Sequence, residues 1–382
     1  MKILFFISIF SLYSLLHLYV FLKIGSAFGF SGLTAIFLIA FMALMVSAPV
    51  VVRILEGHRF DVTARIISYV GYTWMGLVFL FFFCSLAIDM YRLLIYAAGR
   101  MLHSKFCSIN PPPQIAFYIA LVSTIAIEVF AYYEAQTIRT ETVIIKSNKI
   151  PEESSVLTIA QISDVHLGLI VRHERLKRIL NEIRRANPDM LVSTGDLVDG
   201  QIDNLTGLVE LLQLVNPPYG KFAITGNHEF YAGLDQALHF AQNAGFTVLR
   251  GETYDVDGII TVVGIDDPTG KYFGSCRDVS ERTLLAHNSN KKFVLLLKHT
   301  PIVNEETLGL FDLQLSGHTH KGQIFPFHFI TRLFFPYHTG LISLPHGSQL
   351  YVSRGSGTWG PPLRFFSPPE VTIIKLVHAK SK

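Results

Sequence analysis

The segment MLVSTGDLVD, residues 190–199, joins a short apolar run to the pair Gly195 and Asp196. A short run of apolar residues that stops at glycine and aspartate predicts a buried β-strand followed by a loop. Segments with helical spacing lie on either side of it, at 174–185 and 205–214. Strands that alternate with helices at this spacing predict an α/β domain whose strands are buried and partly parallel.

The same arrangement recurs along the rest of this region. A third helix is predicted at 234–243, and further strands at 156–163, 221–225, 259–265, 293–297, 313–316, 351–354 and 371–376. Five of the strands end in Asp, Asn or His: Asp164 and His166, Asp196, Asn227 and His228, His299, and His318 with His320. Because ligands gather where strand ends meet loops, we expect these side chains to lie together. Oxygen and imidazole donors of this kind suit Zn, Mn or Fe.

The composition shows that the chain has two different parts. Half of the 382 residues are hydrophobic and only 16% are charged, whereas a soluble domain has about 25% charged residues. Residues 1–135 carry eight basic and five acidic side chains, so the whole net charge of +3 lies there and the remainder is neutral. A single uniform soluble domain is excluded, and no nucleic-acid binding is expected, since that requires an excess of basic residues on the folded domain.

Four apolar stretches in the first part are close to the length of about 20 residues that crosses a bilayer. They are predicted membrane spans at 3–22, 33–52, 66–88 and 115–133. For the first stretch, a cleaved signal peptide is the alternative. The acids Asp89 and Glu128 are either a polar relay in the membrane or interfacial residues paired with Arg92.

The spans divide the chain into a transmembrane region (1–135), a linker (136–155) and a catalytic domain (156–382). With a cytoplasmic N-terminus, the inner loops carry six basic residues and the outer loops four. The positive-inside rule then favours a catalytic domain on the cytoplasmic side.

The motifs at the five strand ends resemble those of the calcineurin-like metallophosphoesterase superfamily. They read Asp164-Val-His166, Gly195-Asp196-Leu-Val-Asp199, Gly226-Asn227-His228-Glu229, His299 and Gly317-His318-Thr319-His320. The resemblance covers about residues 156–323. Ser353-Arg-Gly355 and Pro368-Pro-Glu370 are similar to the tail of a bacterial subgroup of membrane-attached or exported phosphodiesterases, which implies the bacterial inner membrane. Lys321 stands where glycine is commoner, and this departure puts the shape of the loop in doubt.

The resemblance implies an α/β fold, a four-layer α/β/β/α sandwich of two mixed sheets flanked by helices. It also implies two divalent metal ions of the Mn, Fe, Zn or Ni type. Asp164, His166 and His320 would hold one ion, Asn227, His299 and His318 the other, and Asp196 would bridge them. His228 would face the substrate.

Chemistry supports these roles, because a water between two such ions loses a proton near neutral pH and attacks phosphorus in line. The leaving oxygen then needs a proton, which His228 is placed to give as general acid. Asp199 or Glu229 either orients His228 or a ligand imidazole, or serves as a turn or helix cap.

Residues 324–345 form an unusually apolar, aromatic segment after the last motif. It is either an interfacial segment that enters lipid beside the site, or a packed Ω-like loop with buried aromatics. In the first case a lipid-linked phosphate is a natural substrate. Arg332 and Arg364 are candidates for bidentate phosphate binding or simple surface charges, and His338 and His346 are candidates for substrate contact.

The predicted function is therefore that of a membrane-anchored, dinuclear-metal-dependent phosphoesterase. It would hydrolyse a phosphodiester or pyrophosphate bond in a small or lipid-linked substrate, with membrane lipids as its other partners. The alternatives are a non-catalytic membrane scaffold or regulatory module with the same fold, and a four-helix transporter regulated by the domain. All eight positions of the motif are filled, which favours the enzyme.

Overall fold

A computed structural model describes residues 2–103, 109–152, 156–200, 205, 207–277, 279–287 and 292–379. Contacts divide the chain into two compact units. One consists of Met1–Tyr133 with Gly360–Leu363, and the other of Glu134–Trp359 with Arg364–Lys382.

Four long helices account for most of the first unit. They are α1 (Lys2–Phe28), α2 (Gly32–Gly57), α3 (Asp61–Met101) and α4 (Pro113–Gln136). All four are long and apolar enough to cross a membrane, in agreement with the predicted number of membrane helices. At 41 residues, α3 is much longer than the span predicted inside it, because helix-forming residues such as Leu93, Leu94 and Ala97 continue beyond the apolar core.

The acid Asp89 is paired inside this unit. Its carboxylate accepts a hydrogen bond from Tyr19 (2.8 Å) and forms an ion pair with Lys23 (2.5 Å). Arg92, the partner suggested by the sequence, donates instead to Asn110. Asp89 is thus an acid neutralised by a basic partner, in the way that polar groups within helical bundles are usually satisfied.

The described residues of the second unit form twelve strands. In chain order they are β1 (Arg139–Ser147), β2 (Leu157–Ile162), β3 (Met190–Ser193), β4 (Lys221–Ala223), β5 (Thr247–Val248), β6 (Glu252–Val256), β7 (Ile260–Gly264), β8 (Phe293–Leu297), β9 (Leu313–Ser316), β10 (Gly340–Ser343), β11 (Gln349–Val352) and β12 (Glu370–His378). They form two six-stranded sheets with the orders β1-β12-β2-β3-β4-β5 and β10-β11-β9-β8-β7-β6. Within each sheet the central strands that lead to the candidate ligands are parallel.

The helices of this unit are α5 (His173–Ala186), α6 (Leu208–Gln213), α7 (Asn227–Ala232), α8 (Leu234–Asn243), α9 (Glu281–Ala286) and α10 (His328–Phe334). Side chains of α5, α6 and α8 form a core against the first sheet, and Leu285 of α9 packs against the second. A third core, which includes Ile159, Phe222 and Leu295, contains residues of both sheets. This arrangement confirms the α/β fold with its α/β/β/α layers.

Strand β1 lies inside residues 136–155, the segment that is predicted to be a linker. It pairs in parallel with β12 along its whole length, from Arg139 opposite Glu370 to Ser147 opposite His378. Val143 and Ile145 are buried on one face, whereas the intervening residues are exposed. Such a half-exposed edge strand carries several charges and resembles a polar connector in sequence.

Candidate metal centre

The structure brings together all eight side chains predicted from the strand ends. Asp164 and His166 follow β2, Asp196 follows β3, and His299 follows β8. The candidate ligand atoms form three overlapping groups, and within each group all atoms lie within 4.8 Å of one another. The groups are Asp164, His166 and His320; His166, Asp196 and His228; and Asp196, His299 and His318. The side chains therefore share one site, built from strand ends of both sheets.

The backbone at this site is held in an uncommon conformation. Five of the candidate ligands have a positive φ: Asp164, His166, Asp196, His318 and His320. Non-glycine residues rarely adopt this conformation, and it tends to occur at functional sites. Lys321 is left-handed too (φ 50°, ψ 32°), which explains why glycine is commoner there and shows that the loop keeps this conformation with lysine.

Two glycines allow the loops to approach the carboxylates. A Cβ at Gly226 would lie 2.2 Å from Oδ1 of Asp196, and a Cβ at Gly317 would lie 2.2 Å from Oδ2 of Asp164. Both distances are far below van der Waals contact, so only glycine fits at these positions. The glycines of the Gly-Asn-His-Glu and Gly-His-Thr-His motifs thus let neighbouring loops pack directly on the acidic groups.

The first set of ligand atoms is centred on Asp164 and two imidazoles. Nε2 of His166 lies 3.1 Å from Nε2 of His320, which is 3.5 Å from Oδ1 of Asp164. The Asp164 carboxylate is oriented by the backbone N–H of His318 (2.9 and 3.0 Å) and by the hydroxyl of Ser163 (2.5 Å). One carboxylate oxygen and two imidazole nitrogens therefore converge on one point.

The second set contains Asn227, His299 and His318. Oδ1 of Asn227 lies 3.1 Å from Nε2 of His299 and 3.0 Å from Nδ1 of His318. Nδ1 of His299 contacts the carbonyl oxygen of Thr194 at 2.8 Å. Because a carbonyl only accepts hydrogen bonds, Nδ1 carries the proton, which leaves Nε2 to face the other ligand atoms.

Asp196 lies between the two sets. Its Oδ2 is 3.2 Å from Nε2 of His299 in one set and 3.9 Å from Nε2 of His166 in the other. Its Oδ1 accepts the backbone N–H of His228 at 2.8 Å. Among the residues that the structure describes, Asp196 is the carboxylate that lies close to both sets of ligand atoms, as a bridging ligand must.

The electrostatics of the site fit a divalent cation. Burial lowers the pKa of His166 to about 3 and that of His318 to about 4, and a neutral imidazole is the form that binds metal. Burial and the charge of Asp196 raise the pKa of Asp164 to about 6. At His299, burial disfavours the charged ring, but the adjacent Asp196 outweighs it and raises the pKa. Two buried carboxylates beside the neutral imidazoles of His166 and His318 are a donor set suited to Mn, Fe or Zn.

His228 lies beside the candidate ligands and is held by Asp199. Its Nδ1 donates to Oδ1 of Asp199 at 2.9 Å, and its ring packs edge-on at 4.6 Å from that of His166. Burial opposes the charged ring, but Asp196 and Asp199 overcome this effect and raise the pKa of His228 to about 9. The ring of Trp359, a residue that the sequence analysis did not single out, lies 5.9 Å away. In the sequence, a lone Trp in a glycine-rich segment is the only indication of this contact.

The structure distinguishes the roles of Asp199 and Glu229. Asp199 contacts His228, as the orienting interpretation requires. Glu229 instead accepts the backbone N–H groups of Gly226 (2.6 Å), Asp196 (3.0 Å) and Leu197 (2.8 Å). Burial and the charge of Asp196 raise its pKa to about 7, although these donors favour the ionised form. Glu229 therefore has the structural role, in which it ties two ligand-bearing loops together.

Arg364 is neither a surface charge nor placed as a free phosphate ligand. It is fully buried, and its guanidinium donates to the carbonyl oxygens of Gly357 (2.6 Å), Arg354 (2.7 Å) and His320 (3.2 Å). It also contacts Nδ1 of His320 at 3.0 Å. Arg364 thus holds the loop that carries the last candidate ligand, whereas Arg332 on α10 is exposed.

The aromatic segment 324–345 folds into α10 and β10 and leaves many of its side chains exposed. Leu333 is 81% exposed, Phe334 74% and Phe329 60%. These values do not fit a packed loop with buried aromatics, and they favour the interfacial interpretation. Phe335, in contrast, turns inward and contacts His318 with its ring 5.1 Å away.

Comparison with known proteins assigns the chain to a family. A family model described as "calcineurin-like phosphoesterase" matches residues 157–322. A protein of Aquifex aeolicus, named an uncharacterized metallophosphoesterase, is 41% identical over 248 residues, which are 65% of this chain and 95% of that protein. This chain belongs to the calcineurin-like metallophosphoesterase family, as the motifs predict.

Other relatives match a larger share of this chain. An uncharacterized metallophosphoesterase of Campylobacter jejuni is 31% identical over 82% of this chain and 84% of its own length. A "transmembrane protein with metallophosphoesterase domain" of Danio rerio is 32% identical over 68% of this chain and 62% of its own length. Together with the four candidate spans, these relatives support membrane association.

The contacts of Glu229 predict a large loss of stability in Glu229→Ala. Several buried N–H groups would lose their acceptor, and each such loss costs about 1–3 kcal/mol. We expect a melting temperature in detergent well below that of the wild type and a weaker retention of added Mn²⁺. Glu174→Ala is the matched control, because Glu174 is exposed and pairs with Lys177 on its own helix. Equal melting of the two variants would contradict the role of Glu229.

Proposed function

We propose that this chain is a membrane-anchored phosphoesterase that uses two divalent metal ions to hydrolyse a phosphodiester or pyrophosphate bond. The observation that carries the proposal is the position of Asp196 between two sets of candidate ligands. Two cations about 3.5–4 Å apart repel each other strongly, so a shared carboxylate is needed between them. The alternative, a non-catalytic scaffold or regulatory module, does not require all eight side chains to converge.

The candidate residues divide into two metal sites with one shared member. Asp164, His166 and His320 would hold one ion, Asn227, His299 and His318 the other, and Asp196 both. When bound, two such ions stabilise charge on phosphoryl oxygens and make water a stronger nucleophile at neutral pH. The rest of the chemistry falls to side chains that face the substrate.

His228 is the proposed general acid. Hydrolysis forms a bond from the oxygen of water to phosphorus and breaks the bond to the leaving oxygen, which then takes a proton. The Nδ1–H of His228 is fixed on Asp199, so the opposite nitrogen, Nε2, is the one free to give that proton. The ring also lies against His166, beside the proposed metal ligands.

We further propose a lipid-linked substrate and a cytoplasmic site at the bacterial inner membrane. Exposed apolar side chains of α10 support a lipid-linked substrate, and the excess of basic residues in the inner loops supports the cytoplasmic side.

Asp196→Asn should remove both metal binding and hydrolysis. The amide keeps the shape of the side chain but loses the charge that two cations share, so the purified variant should retain fewer than two metal ions per chain by mass spectrometry. We expect hydrolysis of bis(p-nitrophenyl) phosphate to fall by at least about 10³-fold. Asp235→Asn, at an exposed position of α8, is the control. A variant with normal turnover would disprove the role of Asp196.

His228→Ala should keep its metal ions and lose rate according to the leaving group. General acid catalysis contributes about 10²–10⁴-fold, and it matters least when the leaving oxygen is already a good leaving group. We expect a small loss with p-nitrophenyl esters and a large loss with phenyl or alkyl esters. Asp199→Asn should show the same pattern more weakly. A uniform loss across all leaving groups would rule out proton donation by His228.

A reporter fused after Lys382 tests the sidedness. Green fluorescent protein at this position should be fluorescent and alkaline phosphatase inactive, because the first folds only in the cytoplasm and the second only outside it. The reverse pattern would place the catalytic domain outside and exclude cytoplasmic substrates.

A further inference from the structure

An apolar groove lies beside the candidate metal centre in the second unit. It has a volume of about 710 Å³ and lies between residues 301–308 and 334–346. Ten of its twelve lining residues are apolar, aromatic or proline, among them Ile302, Leu308 and Phe334. The other two, Glu305 and His346, are exposed. Binding sites for small molecules have volumes of about 300–1,000 Å³ and are lined in this way, with few polar groups.

Each wall of the groove is connected to a candidate metal ligand. The first wall begins at Pro301, two residues after His299. The second contains Phe335, whose ring lies edge-on to that of His318 at 5.1 Å. Because His299 and His318 belong to the same set of ligand atoms, a molecule in the groove would lie next to the group that reacts.

The charge of the stretch that contains the second wall suits a ligand with an anionic end and an apolar end, and the acid of the lining, Glu305, lies in the first wall. No acidic residue occurs between Leu313 and Pro369, whereas this stretch contains Lys321 and Arg332. A phosphate at the metal centre would therefore meet no acidic side chain from this part of the chain. A hydrocarbon chain would cover the apolar lining and gain about 0.8 kcal/mol for each methylene removed from water.

We propose that this groove binds the hydrocarbon chain of a lipid-linked phosphoester whose phosphate lies at the metal centre. The four membrane spans place the protein where such molecules are found. The inference rests on the proposed phosphoesterase activity and adds the part of the substrate that determines selectivity. Ile302 and Phe334 are groove residues with exposed side chains that can be changed without opening a cavity in the core.

The test compares p-nitrophenyl dodecyl phosphate with p-nitrophenyl methyl phosphate, using the full-length chain in nanodiscs with Mn²⁺. In both reactions water adds to phosphorus and p-nitrophenol is released, so the chemistry is the same and only the chain length differs. We expect Ile302→Gln and Phe334→Gln each to lower the ratio of kcat/KM for dodecyl over methyl ester by about tenfold.

Leu214→Gln is the matched control, since Leu214 is exposed at the end of α6 and does not line the groove. The dodecyl ester also enters the lipid of the nanodisc, but it does so equally for all variants. If the groove variants keep the same ratio as Leu214→Gln, the groove does not bind the chain and the inference is wrong.

A binding measurement separates this inference from the proposed activity. Radiolabelled dodecyl phosphate should bind to wild-type and Leu214→Gln nanodiscs about tenfold more tightly than to Ile302→Gln nanodiscs. Absence of hydrolysis with both esters would refute the phosphoesterase activity, while this binding difference would still support the groove. Equal binding to all three proteins would refute the groove whatever the activity.

Discussion

The buried carboxylate of Asp196 is the point on which the rest of the site depends. An isolated charge in this position is costly, and the structure offsets the cost from several sides. The ring of His299 lies 3.2 Å from Oδ2, and the backbone N–H of His228 donates to Oδ1. Glu229 accepts the N–H of Asp196 itself and of Gly226, so it fixes the loops that bring these groups together. The carboxylate is therefore held in place before any ion binds.

The two sheets explain how such a cluster forms from residues far apart in sequence. Parallel strands end at the same edge, so β2, β3 and β4 deliver their acidic and amide groups from one sheet while β8 and β9 deliver imidazoles from the other. The left-handed backbone at Asp164, Asp196 and His318 turns each side chain inward directly after its strand. Conformations of this kind persist only where the surrounding structure enforces them. Glu229 holds the backbone of Asp196 in this way, and Arg364 holds that of His320.

The sequence predicted those strands that a short local pattern of residues makes recognisable. The strands at 190–193, 293–297 and 313–316 were found at their observed bounds, because each is a short run rich in apolar residues that stops just before a polar residue or glycine. Edge strands such as β1 and β6 were missed, since one exposed face makes them resemble polar loops. The contacts of Arg364 and Trp359 could not be predicted, because they depend on loops that meet only after folding. The seven candidate ligands and His228 could be predicted because the motifs at the strand ends all point to the same chemistry.

The family model covers the metal centre but only part of the groove. That match ends at residue 322, so it contains all seven candidate ligands, His228 and one wall of the groove. The second wall, from Phe334 to His346, lies beyond it, in a segment whose aromatic residues are largely exposed. A soluble protein gains nothing from such a surface, which favours association and aggregation. In a chain with four candidate membrane spans, the same surface is explained if hydrocarbon covers it.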